Sequence, residues 1–220
     1  MKFTKEQIKK AMLLYAVTDR AWLKAGESLA DVVELVLENG ATFLQIREKD
    51  LDAENFETEA KALKNLCARF AVPFVVNDSV EIAISCDADG VHVGQSDIKG
   101  RDIRAMIGPD KILGISAGTV EEAVAAEKAG ADYIGVGAVF PTGTKKDARC
   151  MSVEALREIV SAVSIPVVAI GGINGGNIEL LSGSGVDGVA VVSAIFAAEE
   201  PGNATAKLLC AAKELVKSNG

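Results

Sequence analysis

The stretch QIREK places Gln45, Arg47 and Lys49 two residues apart. Alternate residues of a strand share a face, so an amide and two cations would converge there. Burying two cations at a strand end is costly unless an anion meets them. They could equally flare into solvent, or pair with Glu48 or Asp50. Further along, Asn77 and Asp78 stand together, and GQSD at 94–97 ends on Asp97. Carboxylates at two neighbouring strand ends would suit Mg²⁺, which prefers oxygen ligands; as loop caps they would be unremarkable. The stretch VFPTGTKKD (139–147) gathers Thr142, Gly143, Thr144 and Lys145 into a basic turn. IGG (170–172) and VVS (191–193) offer glycine and small polar residues where backbone amides can approach a phosphate, or only turn the chain. Together these residues would suit a transferase acting on two anionic ligands, one of them a diphosphate.

What must position them is a regular alternation of short apolar runs and helical patterns. The runs fall at 12–18, 43–47, 73–77, 90–93, 112–116, 133–137, 166–171 and 188–193. Apolar residues at helical spacing mark 28–39, 119–130 and 152–163, each opening on Ser or Thr as an N-cap. The strands are nearly all apolar, as parallel strands covered on both faces should be. A weak repeat aligns Thr42, Asp89, Asp132 and Asp187 at strand starts, which reads as turn and stability chemistry. Eight strand–helix units in 220 residues predict an α/β fold, a single (β/α)₈ TIM barrel with eight parallel strands over 1–220. Residues 1–11 form a helical segment before the first strand. An open doubly wound sheet is the alternative, but VTDRAWLKAG after the first strand is not its phosphate-binding glycine loop. In a barrel the active site lies at the carboxyl ends of the strands, where Thr18, Gln45, Arg47, Asn77, Asp97, Ser116, Gly172 and Ser193 all fall.

Composition excludes several classes. A net charge of −8 argues against a nucleic-acid surface, yet leaves room for a local positive pocket that takes small phosphorylated substrates. No run approaches the roughly 20 apolar residues of a membrane span, and the N-terminus lacks the apolar core of a secretory signal. The four cysteines show no CxxC spacing, which predicts reduced thiols and a cytoplasmic protein. One histidine, His92, makes His-rich metal sites and His-based triads poor expectations and is left without a role. A homo-oligomer is compatible with the sequence, which does not decide the point.

In chain order, LLYAVTD (13–19), GATFLQIREK (40–49), VVND (75–78), DGVHVGQSD (89–97), GADYIGVGAVFPTGTK (130–145), VVAIGGI (167–173) and GVAVVSAI (188–195) resemble the motifs of the thiamine-phosphate synthase family. The resemblance implies a (β/α)₈ barrel that joins hydroxymethylpyrimidine diphosphate to thiazole phosphate with Mg²⁺, releasing pyrophosphate by a dissociative route. It implies that Gln45, Ile46, Arg47, Glu48, Lys49 and Asn77 bind the pyrimidine diphosphate, with Ser116 on the pyrimidine and Lys145 on the diphosphate. Arg47, Lys49, Ser116 and Lys145 are then the catalytic set, and Asp78 and Asp97 hold the metal. Thr142, Gly143, Thr144, Gly172, Val192 and Ser193 would bind the thiazole phosphate. Ala138 and Lys99 depart from the family pattern, where proline is usual. The alternatives are a thiazole tautomerase, for which Ser116 stands where a catalytic His is expected, a sugar-phosphate epimerase, and a non-catalytic regulator.

Overall fold

The computed structural model describes residues 3–143 and 150–219. Eight strands run in chain order: β1 Leu14–Val17, β2 Phe43–Ile46, β3 Phe74–Asn77, β4 Gly90–Val93, β5 Ile112–Ala117, β6 Tyr133–Val136, β7 Val167–Ile170 and β8 Gly188–Val191. Each pairs in parallel with the next, and β8 returns to β1, so the sheet closes into a barrel. The helices outside it are α2 Leu29–Glu38, α3 Ala53–Arg69, α4 Val80–Ser85, α5 Ile103–Ile107, α6 Val120–Lys128, α7 Val153–Ala162, α8 Ser193–Phe196 and α9 Pro201–Asn219. Ser28, Thr119 and Ser152 cap α2, α6 and α7 by accepting from the amides of Asp31, Glu122 and Ala155, as the sequence predicts.

The strands' period of two sorts their side chains into two cores. Leu14, Leu44, Phe74, Val91, Leu113, Ile134, Val167 and Val189 face outward under the helices. Tyr15, Phe43, Val75, Ile112, Tyr133, Val168 and Ala190 fill the barrel interior. The helix α1, Lys5–Ala11, closes the lower mouth, because its Ile8 and the following Met12 are fully buried against that inner cluster. With its lower end sealed by α1, the barrel leaves its upper mouth as the place for a ligand.

The repeat of Thr42, Asp89, Asp132 and Asp187 has a shared geometry at the strand starts. Each donates its own amide to a carbonyl of the preceding odd-numbered strand or its first residue: Leu14, Phe74, Leu113 and Val167, at 2.7–2.9 Å. Each side chain accepts from the amide of that same residue, at 2.8 Å for Thr42, 2.9 Å for Asp89, 2.8 Å for Asp132 and 2.8 Å for Asp187. These four clasps fix the register of alternate strand pairs. The aspartates also meet cations, Lys64 on Asp89 at 2.6 Å and Arg104 on Asp132 at 2.6 Å.

The Asp89 clasp is the most buried, with its side chain 3% exposed and that of Lys64 13%. Asp89→Ala takes the acceptor from the Phe74 amide and the carboxylate from Lys64, so a loss of about 2–4 kcal/mol is expected from urea unfolding midpoints. Cys67 and Cys86 are buried, and burial pushes the Cys67 thiol up to about 12. Of the four thiols, only Cys150 and Cys210, which are exposed, are expected to react promptly with a thiol reagent in the native protein.

Candidate active site

All eight strands present their carboxyl ends at one mouth. β2 ends at Ile46, so Arg47 and Lys49 leave the strand rather than extend it. Gln45 stays inside, 4% exposed, with its amide Nε2 donating to the Tyr15 hydroxyl at 2.6 Å. Ile46 faces the outer core, so its side chain does not reach the mouth. The Arg47 amide donates to Thr18 Oγ1 at 3.0 Å, which ties the exit of β2 to that of β1. The side chain of Glu48, 1% exposed, turns to Arg20, whose Nε donates to it at 2.8 Å, while Arg20 Nη2 holds Glu59. Burial raises the Glu48 carboxyl above its ordinary range while Arg20 pulls it down. Because Arg20 takes Glu48, neither Arg47 nor Lys49 has an ion-pair partner among the described residues. Pairing of these cations with Glu48 or Asp50 is therefore not what the fold does.

On β3 and β4 the carboxylates come together. Asp78 holds a left-handed backbone, φ 62°, and its amide donates to the His92 carbonyl at 2.8 Å. Asn77 Nδ2 donates to Asp78 Oδ2 at 2.6 Å. The Asp78 carboxyl is raised from its ordinary value, first by the protein crowding it and then by the neighbouring Asp97, while Arg47 and Asn77 work the other way. Asp97 caps its own loop through Oδ2, which accepts from the Gly94 amide at 2.8 Å. Two carboxylates held close enough to repel, beside an arginine, form a hard-oxygen pair that a divalent cation would relieve. No larger cluster of potential metal ligands exists among the described residues.

Across the barrel, on the β6–β8 side, the second set gathers. The amides of Val139 and Phe140 donate to Ile170 and Gly171 at 3.0 Å, so the segment after β6 runs beside the end of β7. Thr142 and Gly143 follow directly on that segment, which flanks Gly172. A Cβ on Gly172 would strike the Pro141 carbonyl and Phe140, and its φ of 67° favours glycine. Val192, just after β8, packs against the inner cluster, and Ser193 opens α8, whose first amides have no intrahelical acceptor. Thr144 and Lys145 lie outside the described residues.

Between these two sets runs a connection that sequence reasoning missed. Tyr15 and Tyr133, each at most 1% exposed, touch hydroxyl to hydroxyl at 2.8 Å. The Tyr133 hydroxyl is 2.9 Å from His92 Nδ1, and His92 Nε2 is 3.0 Å from Ser116 Oγ. Gly114 gives these rings their room, since a Cβ there would run into Tyr133 and lie 2.6 Å from His92 Nδ1. The clue in the sequence was that the chain's two tyrosines and its one histidine all fall on inward positions of strands.

A family model described as thiamine monophosphate synthase matches residues 14–195. The thiamine-phosphate synthase of Clostridium tetani is 47% identical over 187 residues, 85% of this chain and 89% of that protein. That of Clostridium beijerinckii is 48% identical over 202 residues, covering 92% and 93%. Among solved structures, the thiamine phosphate pyrophosphorylase from Pyrococcus furiosus superposes with a TM-score of 0.86 at 40% identity, covering 94% of this chain and 98% of that one.

The tight passage of Gly172 beside the β6 loop makes a direct expectation. Gly172→Ala should lose about 1–3 kcal/mol of stability in thermal or urea unfolding, since the side chain meets backbone in a left-handed conformation. Gly143→Ala, with no described residue within 4 Å of the new Cβ, should stay close to wild-type stability.

Proposed function

This chain belongs to the thiamine monophosphate synthase family and forms thiamine phosphate, and we propose that it does so at this mouth with the residues assembled there. The observation that carries the assignment of the site is the placement of two anion-ready sets on opposite sides of one barrel opening. β3 and β7 stand opposite each other in a closed sheet of eight. The cations Arg47 and Lys49, without ion-pair partners among the described residues, and the Asp78–Asp97 pair belong to the first side, and Gly172, Thr142 and Ser193 to the second.

In this reading Arg47, Lys49 and Asn77 hold the pyrimidine diphosphate, and Gln45 and Ser116 face its ring. Glu48 contributes by anchoring the β2 exit to Arg20, which leaves Arg47 to the ligand. Ile46 contributes through the outer core and the backbone alone. Asp78 and Asp97 would hold Mg²⁺, with water and phosphate oxygens completing its shell; bound there, it neutralises diphosphate charge. Thr142, Gly143, Thr144, Gly172, Val192 and Ser193 bind the thiazole phosphate, and Lys145 adds a cation toward the leaving diphosphate.

The chemistry asks little of a general base. The bond from the pyrimidine methylene to the diphosphate oxygen breaks, and its electron pair leaves with the diphosphate. The lone pair of the thiazole nitrogen then forms the new C–N bond. That nitrogen carries no proton, so none need be removed, in keeping with a site whose one histidine is buried. Catalysis is then mainly the stabilisation of departing charge by Arg47, Lys49 and Lys145. The ring nitrogen also needs the thiazole held close, which the phosphate contacts would supply.

Purified protein mixed with both substrates and Mg²⁺ should yield thiamine phosphate; no product under conditions where a characterised synthase works would overturn the assignment. Arg47→Ala and Asp97→Ala should each lower turnover by about a hundredfold or more while leaving the circular dichroism spectrum intact. A variant near the wild-type rate would remove that residue from its role. Chelation should abolish turnover, and added Mg²⁺ should restore it.

A further inference from the structure

Gln45, Tyr15, Tyr133, His92 and Ser116 form one continuous chain of contacts through the upper barrel, at 2.6, 2.8, 2.9 and 3.0 Å. Its direction follows from counting protons. The Gln45 amide nitrogen can only donate, so the Tyr15 oxygen accepts, and Tyr133 is the one side-chain acceptor among the described residues left for its single buried proton. The Tyr133 proton then goes to His92 Nδ1, which must be bare. The ring proton therefore sits on Nε2 and is donated to Ser116 Oγ. Ser116 has accepted, and its own hydroxyl proton is left for another acceptor. Burial raises both tyrosines above their ordinary value, so both remain donors at neutral pH.

We propose that these five side chains form a polarised hydrogen-bond chain that fixes His92 as the Nε2–H tautomer and so presents the Ser116 hydroxyl proton to the aminopyrimidine substrate. Tyr15, Tyr133 and His92 are positioning residues on this view; they act through Ser116 and through Gln45. A ring nitrogen of the pyrimidine is an acceptor and suits the Ser116 donor. One Gln45 Nε2 proton goes to Tyr15, and its carbonyl oxygen is free to accept from the exocyclic amino group. The two ends of one chain thus offer a donor and an acceptor, the complement of an aminopyrimidine. A pyrimidinone, whose ring N–H is itself a donor, meets the Ser116 donor with the wrong polarity. The substrate part of this inference rests on the assignment of the pyrimidine to this mouth, whereas the tautomer does not.

The chain has one histidine, so ¹⁵N-histidine labelling gives a single pair of ring nitrogens to observe by NMR. In the free wild-type protein Nε2 should carry the proton and Nδ1 none; a proton on Nδ1 overturns the proposal. Gln45→Glu replaces the donor with an acceptor, which reverses each link, so Nδ1 should become protonated. An unchanged tautomer in that variant also overturns it. Tyr133→Phe cuts the chain, and KM for the pyrimidine diphosphate should rise about tenfold, the size of one lost hydrogen bond, with KM for thiazole phosphate unmoved. An equal change in both constants, or none in either, would assign Tyr133 a structural role only. Should Tyr133→Phe fail to fold, the two spectra still decide. The correct tautomer without thiamine phosphate production would sink the assigned function and keep the chain; product with the wrong tautomer would do the reverse.

Discussion

Closure of the parallel sheet is the constraint from which the rest follows. Parallel strands all leave their carboxyl ends on the same side, and joining β8 to β1 turns that side into a ring. Residues separated by more than a hundred positions, such as Arg47 and Gly172, thereby become two sides of one opening. The four clasps at the strand starts hold this ring in register from below. Each joins an amide and an acceptor to both backbone groups of one residue on the odd strand, so a slip of one position would break two hydrogen bonds at once. Acidic residues at these starts are therefore spent on architecture.

Electrostatics divides the molecule along the same axis. The chain is acidic overall, yet Arg47 and Lys49 stand at the mouth without ion-pair partners among the described residues. Arg20 makes this so by pairing with both Glu48 and Glu59. A cation whose neighbouring acid is already engaged keeps more of its field for a ligand. The Asp78–Asp97 pair beside it is self-repelling as it stands, a repulsion that a cation would relieve.

The barrel interior is also unusual in carrying polar groups through its upper layers. Buried hydroxyls and an imidazole are destabilising unless each finds a partner, and here each finds one in the next side chain. Gly114 and Gly135 belong to the same arrangement, since side chains at those positions would crowd His92. A linked network of this kind has fewer arrangements open to it than isolated polar groups would, so it holds Gln45 and Ser116 in set orientations on two different strands.

Much of this was legible in the residues. Alternation of apolar runs with capped helical patterns determined the eight-unit barrel, because a strand buried on both faces and an amphipathic helix leave different periods in the sequence. The clustering of polar residues at strand ends, and their resemblance to a family, determined which positions to suspect. The sequence could not decide that Glu48 turns to Arg20, or that Ile46 faces outward once β2 stops at that residue. Nor could it join Tyr15, Tyr133 and His92, which are 118 and 41 positions apart along the chain. Local patterns set period and propensity, which act over a few residues. Which side chain meets which depends on strand register and barrel closure, and these exist only once the whole sheet has formed.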